Sequence, residues 1–298
     1  MDLETLVTKL DNPRMMVIPV AVLLISLAIL GVTFATTGSP VKQGIEFTGG
    51  TLVTLPISYS HDEIASALAG YPVVEIRPQG SRHSVQLGPM DEDTYSALAK
   101  LVNSRFERPE IRYMGPIYSK QLQADAPRFL LLSFLLMAIV VLVIFRQPVV
   151  SAIVVFCAMA DIMAAAAFMT LVGVKLSLGT MAALLMLVGY SVDTDILLSV
   201  KVLKRAGDLP EKIKGAMETG IMMTGTTISA VLALMLVSSL LFHLSPSFTR
   251  IDIIADITTV LFFGLLADMM NTWITNVQGL KWYLARNPKA AVSRRGRK

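Results

Sequence analysis

GYSVDTDILLSV, residues 189–200, lies inside an apolar run long enough to cross a membrane, yet it carries Asp193 and Asp195 two positions apart. Around it, 54% of the 298 residues are hydrophobic and only 16% charged. A soluble fold has no use for so apolar a chain, so the run belongs to a membrane protein. A helix crossing the hydrocarbon core needs roughly 20 mostly apolar residues, and windows near that length fall at 15–35, 129–145, 149–172, 176–200, 220–242 and 251–275. The reading is an α-helical membrane bundle of six transmembrane helices. Residues 1–14 form one terminus, 15–35 the first helix, 36–127 a soluble domain with linkers, 128–276 the other five helices and 277–298 a basic tail.

The net charge of +4 resides at helix ends rather than in a nucleic-acid patch. Lys9 and Arg14 precede the first span, Arg146 sits in the turn FRQPVV, and Lys201, Lys204, Arg205, Lys212 and Lys214 follow the fourth. Seven more basic residues follow the sixth. The positive-inside rule makes these segments cytoplasmic, with both termini inside and residues 36–127 outside, together with the connections near Gly173 and at 243–250. The first apolar run exceeds a usual signal h-region and lacks a small-x-small cleavage site, so it reads as a retained anchor in the cell membrane. Cys157 is the only cysteine, which excludes an intrachain disulfide and paired-cysteine metal sites.

Between the first two spans the periodicity becomes that of a soluble domain. Residues 45–57, 72–78, 82–88 and 110–118 read as strands. Residues 60–71 and 91–106 read as helices, the first with Ser60 as N-cap and Glu63 at the capping-box position. The order βαββαβ is that of an α+β ferredoxin-like sandwich. Two motifs frame it, GIEFTGGT at 44–51 and MGPIYSKQL at 114–122. Their residues Glu46, Phe47, Thr48, Gly49, Gly50, Gly115 and Pro116 mark the hinge between domain and membrane. Gly49-Gly50 lacks the Lys-Ser/Thr and helix of a phosphate loop and reads as a bulge or close backbone approach. His61 and His83 read as solvated single histidines. No Ser/His/Asp or Cys/His grouping is present, so no catalytic residue, cofactor or metal is expected.

Inside the membrane, acids are expensive and usually face the bundle interior with partners. The candidates are Asp161 in the third span, Asp193 and Asp195 in the fourth and Asp268 in the sixth. Two residues of a helix turn about 200°, so Asp193 and Asp195 look in different directions. Asp193 falls with Gly189, Tyr190 and Ile196; Asp195 falls with Ser191, Val192, Leu198 and Ser199. One faces the bundle and the other a cavity, a partner protein or the interface near Lys201 and Lys204; the spacing does not say which. The fifth span is rich in Thr and Gly, with Thr224 and Thr227 among its hydroxyls, and is expected to pack against the fourth. These groups either bond helices together or change protonation or partner as the bundle moves.

Over nearly its whole length the chain resembles the SecF protein-export family. GIEFTGGT is similar to that family's D/E-F-T-G-G-T motif after the first helix, and MGPIYSKQL to its V-G-P motif before the second. LLMLVGYSVDTDILL resembles the G-Y-S-x-x-D/N-x-I stretch of its fourth helix, and TGTT at 224–227 a Thr/Ser-rich motif of its fifth. The resemblance implies a non-enzymatic subunit that pairs with SecD in a pseudo-symmetric bundle of RND type. It also implies late steps of protein translocation beside the SecY-containing translocon, contact with the translocating polypeptide and membrane lipids, and use of an ion gradient. YSVDTD departs from the bacterial Tyr-Ser-x-Asn-Asp-Thr: Asp193 stands for the Asn, Thr194 for the Asp and Asp195 for the Thr, and Thr219 stands where bacterial members carry Arg. The VDTDI pattern resembles the archaeal branch.

Two other functions compete. An RND-type small-molecule or lipid transporter half shares the fold but would carry larger outer domains and an internal repeat. An intramembrane aspartyl protease needs Tyr-Asp and Gly-x-Gly-Asp, whereas Tyr190 is followed by Ser191 and Gly189 by no Gly-Asp.

Overall fold

The computed structural model describes residues 13–79, 82–204, 208–244 and 252–287. It divides into a helical unit, comprising Met1–Lys42, Leu130–Lys175 and Gly179–Lys298, and a smaller unit of Gln43–Phe129 with Leu176–Leu178.

The smaller unit holds a four-stranded sheet: β1 (Gly50–Pro56), β2 (Val73–Gln79), β3 (Arg82–Leu87) and β4 (Glu110–Met114). The strand order is β2-β3-β1-β4, and every pair is antiparallel. With α3 (His61–Ala67) and α4 (Glu92–Arg105) between strands, this is the ferredoxin-like arrangement. Alternation along the strands sends Val53, Leu55, Val85 and Leu87 into one core with Ile64, Leu98 and Val102. The Ser60 hydroxyl accepts the Glu63 N–H at 3.2 Å and caps α3. At α4, the Thr94 hydroxyl donates to Asp91 at 2.5 Å and holds that exposed carboxyl below the usual carboxylate range.

Several elements differ from expectation. Residues 45–57 are not one strand: α2 (Ile45–Thr48) forms a single helical turn before β1. Gly49 and Gly50 make the junction at φ +73° and +113°, a region closed to most side chains. A Cβ on Gly50 would lie 2.2 Å from the Leu87 carbonyl oxygen, so the glycine permits the strand pairing itself. His83 is buried rather than solvated, because the register opposite Leu55 and Pro78 sets it on the core face of the central strand β3. The last strand stops at Met114; Pro116 opens α5 (Pro116–Phe145), where its missing N–H is harmless.

The two framing motifs meet within this unit. The Gln123 side-chain amide of α5 donates to the Phe47 carbonyl. Gly49 lies so close to Ser119 that an added Cβ would stand 3.2 Å from its hydroxyl. Of the hinge residues, Phe47 is buried, Glu46 half-buried and Thr48 exposed, its hydroxyl donating to the Gly44 carbonyl at 3.1 Å. Gly115 is unconfined, with open space where a side chain would be. Residues 176–178 join the same unit because Gln43 and Leu176 form a parallel β-bridge, with the Gly44 N–H donating to the Leu176 carbonyl at 2.8 Å.

Among the described residues, six helices are long and apolar enough to cross a membrane. They are α1 (Val17–Thr37), α5, α6 (Pro148–Val172), α7 (Leu178–Lys204), α8 (Leu209–Leu244) and a sixth that starts as α9 (Asp252–Met270). That last helix widens into a π-helical segment, Asn271–Asn276, and resumes as α10 (Val277–Arg286). The helices outrun their apolar windows: α5 begins well before residue 128, and the sixth continues beyond 275. Connection 245–251 lies outside the described residues, as do residues 288–298 of the basic tail.

Within the helical unit α6, α7 and the sixth span are the most buried, and α1 and α5 the least. Glycines set the closest approaches. A Cβ on Gly264 would meet Leu187 at 2.4 Å, one on Gly220 would meet the Trp273 ring at 2.4 Å, and one on Gly279 would meet Ile153 at 3.0 Å.

Candidate functional site

The Leu187–Gly264 contact sets the register of everything below it. One and two turns on from Leu187 stand Ser191 and Asp195; at the same steps from Gly264 stand Asp268 and Thr272. Residues four apart share a helix face, so α7 and the sixth span present a matched polar ladder. Opposite them, α6 contributes Asp161.

All three acids, Asp161, Asp195 and Asp268, are completely buried. Asp161 Oδ2 accepts the Ser191 hydroxyl at 2.6 Å, and its Oδ1 accepts the Asn271 amide at 2.6 Å. Asp195 Oδ1 accepts the Thr272 hydroxyl at 2.9 Å and the Asn276 amide at 2.7 Å. The Thr272 hydroxyl also lies 3.3 Å from Asp268 Oδ1. Since a hydroxyl has one hydrogen, Asp195 and Asp268 share a single donor. The second oxygens of both carboxylates have no hydrogen-bond partner, nor do the buried Ser199 hydroxyl and the side-chain oxygen Oδ1 of Asn276. Among the described residues, no cation pairs with any of the three acids.

The π segment makes this geometry possible. Asn271 and Asn276 are five apart, which in an α-helix would point them about 140° away from each other. An i→i+5 turn, a feature frequent at functional sites, lets Asn271 serve Asp161 while Thr272 and Asn276 serve Asp195. The Thr275 hydroxyl donates to Asn271 Oδ1 at 3.2 Å and fixes that amide.

The structure thus brings together Asp161, Asp195 and Asp268 from three spans. It leaves Asp193 and Tyr190 exposed on the opposite side of α7. Thr224 is buried and Thr227 half-buried, but neither bonds to the acids; Thr227 donates to the Met223 carbonyl of its own helix. The partner of the fourth span's acid is therefore the sixth span and not the Thr-rich fifth. The fifth meets the fourth at one end, where Lys201 donates to the Gly215 carbonyl at 2.7 Å and the Thr219 hydroxyl at 2.6 Å. Ser191, Asn271, Thr272 and Asn276 complete the site. NTWITN was the signal for three of them, a polar hexapeptide inside an apolar run. Among the described residues, no three His, Cys, Asp or Glu side chains converge as a metal-ligand set.

Residues 34–58 match the SecD/SecF GG motif, and residues 94–286 match the family described as protein export membrane protein SecD/SecF, C-terminal. The protein-export membrane protein SecF of Methanolacinia petrolearia is 41% identical over 283 residues, covering 95% of this chain and 98% of the relative. The chain belongs to the SecF family. SecF of Haloferax volcanii is 37% identical, with 93% of this chain and 94% of that SecF aligned. A crystal structure of SecDF in a super-membrane-facing form has the same fold, with a TM-score of 0.56 at 21% identity. That likeness covers 93% of this chain and 39% of the SecDF chain. Like its SecF relatives, this chain is a multi-pass membrane protein, and its buried carboxylates lie within the SecD/SecF C-terminal match.

Proposed function

We propose that the chain is the SecF-type subunit of a SecD–SecF assembly, non-enzymatic, that assists late steps of protein translocation beside the SecY-containing translocon. Its three buried acids are the part that changes state during the work. One observation carries this reading: Asp195 and Asp268 share one hydroxyl donor, and no cation balances them among the described residues. Burying an unbalanced carboxylate in a span is costly, by about 2.5–3.5 kcal/mol even on insertion scales. A proton or small cation taken up at the pair would supply the missing charge and alter which groups hold the shared hydroxyl. An ion gradient has the capacity to drive such a change, at about 2.3 kcal/mol per charge per 100 mV.

The distribution of Lys and Arg supports cytoplasmic termini and an outer position for the ferredoxin-like domain, where it would meet the translocating polypeptide. The family membership supports SecD as partner.

The test is the release time of an exported reporter with the gradient intact and collapsed. Asp195→Asn and Asp268→Asn are each expected to slow release by about tenfold and to remove its response to the gradient. Unchanged release in both single variants and the double variant would reduce the buried acids to helix-bonding groups.

A further inference from the structure

A sheet that does not close has two edge strands, and each presents backbone N–H and C=O groups to whatever lies beside it. In the smaller unit these strands are β2 and β4. β2 is guarded: its register against β3 shifts between Val73 and Glu75, and Pro78 has no N–H to give. β4 is not. It runs from Glu110 to Met114 without a proline or a register shift, and no backbone hydrogen bond reaches its outer side among the described residues. It is also held straight from within. Tyr113 stacks on Tyr95 with ring centroids 4.2 Å apart and donates its hydroxyl to the Met90 carbonyl at 3.2 Å, while Arg82 bonds both Glu110 and the Arg108 carbonyl. Ile111 and Tyr113 pack on the core, so the charges of Glu110 and Arg112 lie on the opposite face of the sheet rather than across its edge.

The strand leads directly into exposed apolar residues. Ile117 is 84% and Tyr118 52% exposed in the first turn of α5, and Gly115 between strand and helix has open space where a side chain would be. Lipid does not explain them. Ile117 stands twelve residues, about 18 Å of helix, ahead of the apolar window that begins at residue 129, and the headgroup layer adds only about 5–8 Å. What covers them comes from the aqueous side. An edge strand needs a partner whose own N–H and C=O groups are still free. A folded neighbour has spent its own in secondary structure, whereas a chain emerging unfolded from a translocon has not. Backbone pairing is also indifferent to side-chain sequence, which suits a partner that changes with every exported protein.

We propose that β4 takes up an extended segment of the translocating polypeptide as a fifth strand, with Ile117 and Tyr118 as apolar contacts beside it. The inference rests on the role in translocation proposed above and gives that role a place of contact in the outer domain. A strand of five residues offers only a few hydrogen bonds, each of modest net strength. A passing chain is therefore held briefly, released and taken up again further along.

The experiment uses the full chain with Cys157→Ala in native membranes, with SecD present and an exported reporter stalled part-way across by a folded domain at its C-terminus. Single cysteines placed by Arg112→Cys, Ile117→Cys and, as control, Ser96→Cys on the exposed side of α4 carry a benzophenone. Positions 112 and 117 are expected to yield reporter adducts at least about tenfold above position 96. Adducts at 112 are expected to fall about fivefold when every second residue of the stalled segment is proline, which has no N–H to pair. Permuting the other residues of the segment is expected to leave them unchanged. Equal adducts from 112 and 96, or adducts at 112 indifferent to the prolines, would overturn the strand pairing. Adducts of position 112 with SecD or with a second copy of the chain, formed equally without the reporter, would make the edge a subunit contact and also overturn it. Removing the chain separates the inference from its basis. Reporter release unaffected by that loss would overturn the proposed role in translocation, whereas chain-dependent release with no excess of adducts at 112 would overturn the edge alone.

Discussion

At Gly50 the demand on one residue is absolute: positive φ, and a carbonyl oxygen 2.2 Å from where a side chain would start. That oxygen belongs to Leu87 in the neighbouring strand and cannot move aside without breaking the β1–β3 ladder. Gly50→Ala is therefore expected to destabilise the sheet by about 3 kcal/mol or more. Limited proteolysis of the full chain would read this as rapid cleavage between residues 51 and 114. Gly264→Ala is a milder case, because the clashing atoms are the methyls of the flexible Leu187 side chain. The glycine pair stood out in the sequence, and close backbone approach was one of the two readings it allowed. Which strand approached could not be read, since register between distant segments is a tertiary property. The same limit applied to Asp193 and Asp195. Helical periodicity separated their directions, but only the packing of Leu187 on Gly264 says which direction is inward.

Among the elements, the π segment Asn271–Asn276 has the largest effect per residue. Inserting one alanine after Ile274, which the already widened turn has no slack to absorb, would rotate everything beyond it by about 100° relative to what precedes it. Asn276 would then leave Asp195, and Gly279 would leave Ile153. The expected outcome is a chain that still inserts but loses export activity and unfolds in detergent at lower temperature; unchanged thermal behaviour would show the wide turn to be dispensable. Such a turn was not legible in advance, because an apolar run of this length satisfies any helical period. The five-residue interval between Asn271 and Asn276 was the one available sign. Hydropathy placed every span yet misplaced helix ends, since it measures the part matched to lipid while hydrogen bonding continues into polar sequence, as α5 does from Pro116.

For the whole molecule, the ferredoxin-like domain is joined to the helical unit by more than its own two ends. The chain passes into the smaller unit again at Leu176–Leu178, held there by the bridge between Gln43 and Leu176. A Cβ on Gly44 would stand 2.9 Å from the Leu176 carbonyl oxygen, so Gly44→Ala is expected to loosen that bridge without touching any buried acid. Export is expected to slow several-fold, less than the about tenfold expected for a variant of the acids, while SecD recovery stays unchanged; full export activity would make the bridge incidental. That third passage ends at Leu178, the first residue of α7, seventeen positions before Asp195 in the same helix. The helix that carries Asp195 thus begins as part of the smaller unit, and one continuous α7 from Leu178 to Lys204 belongs to both.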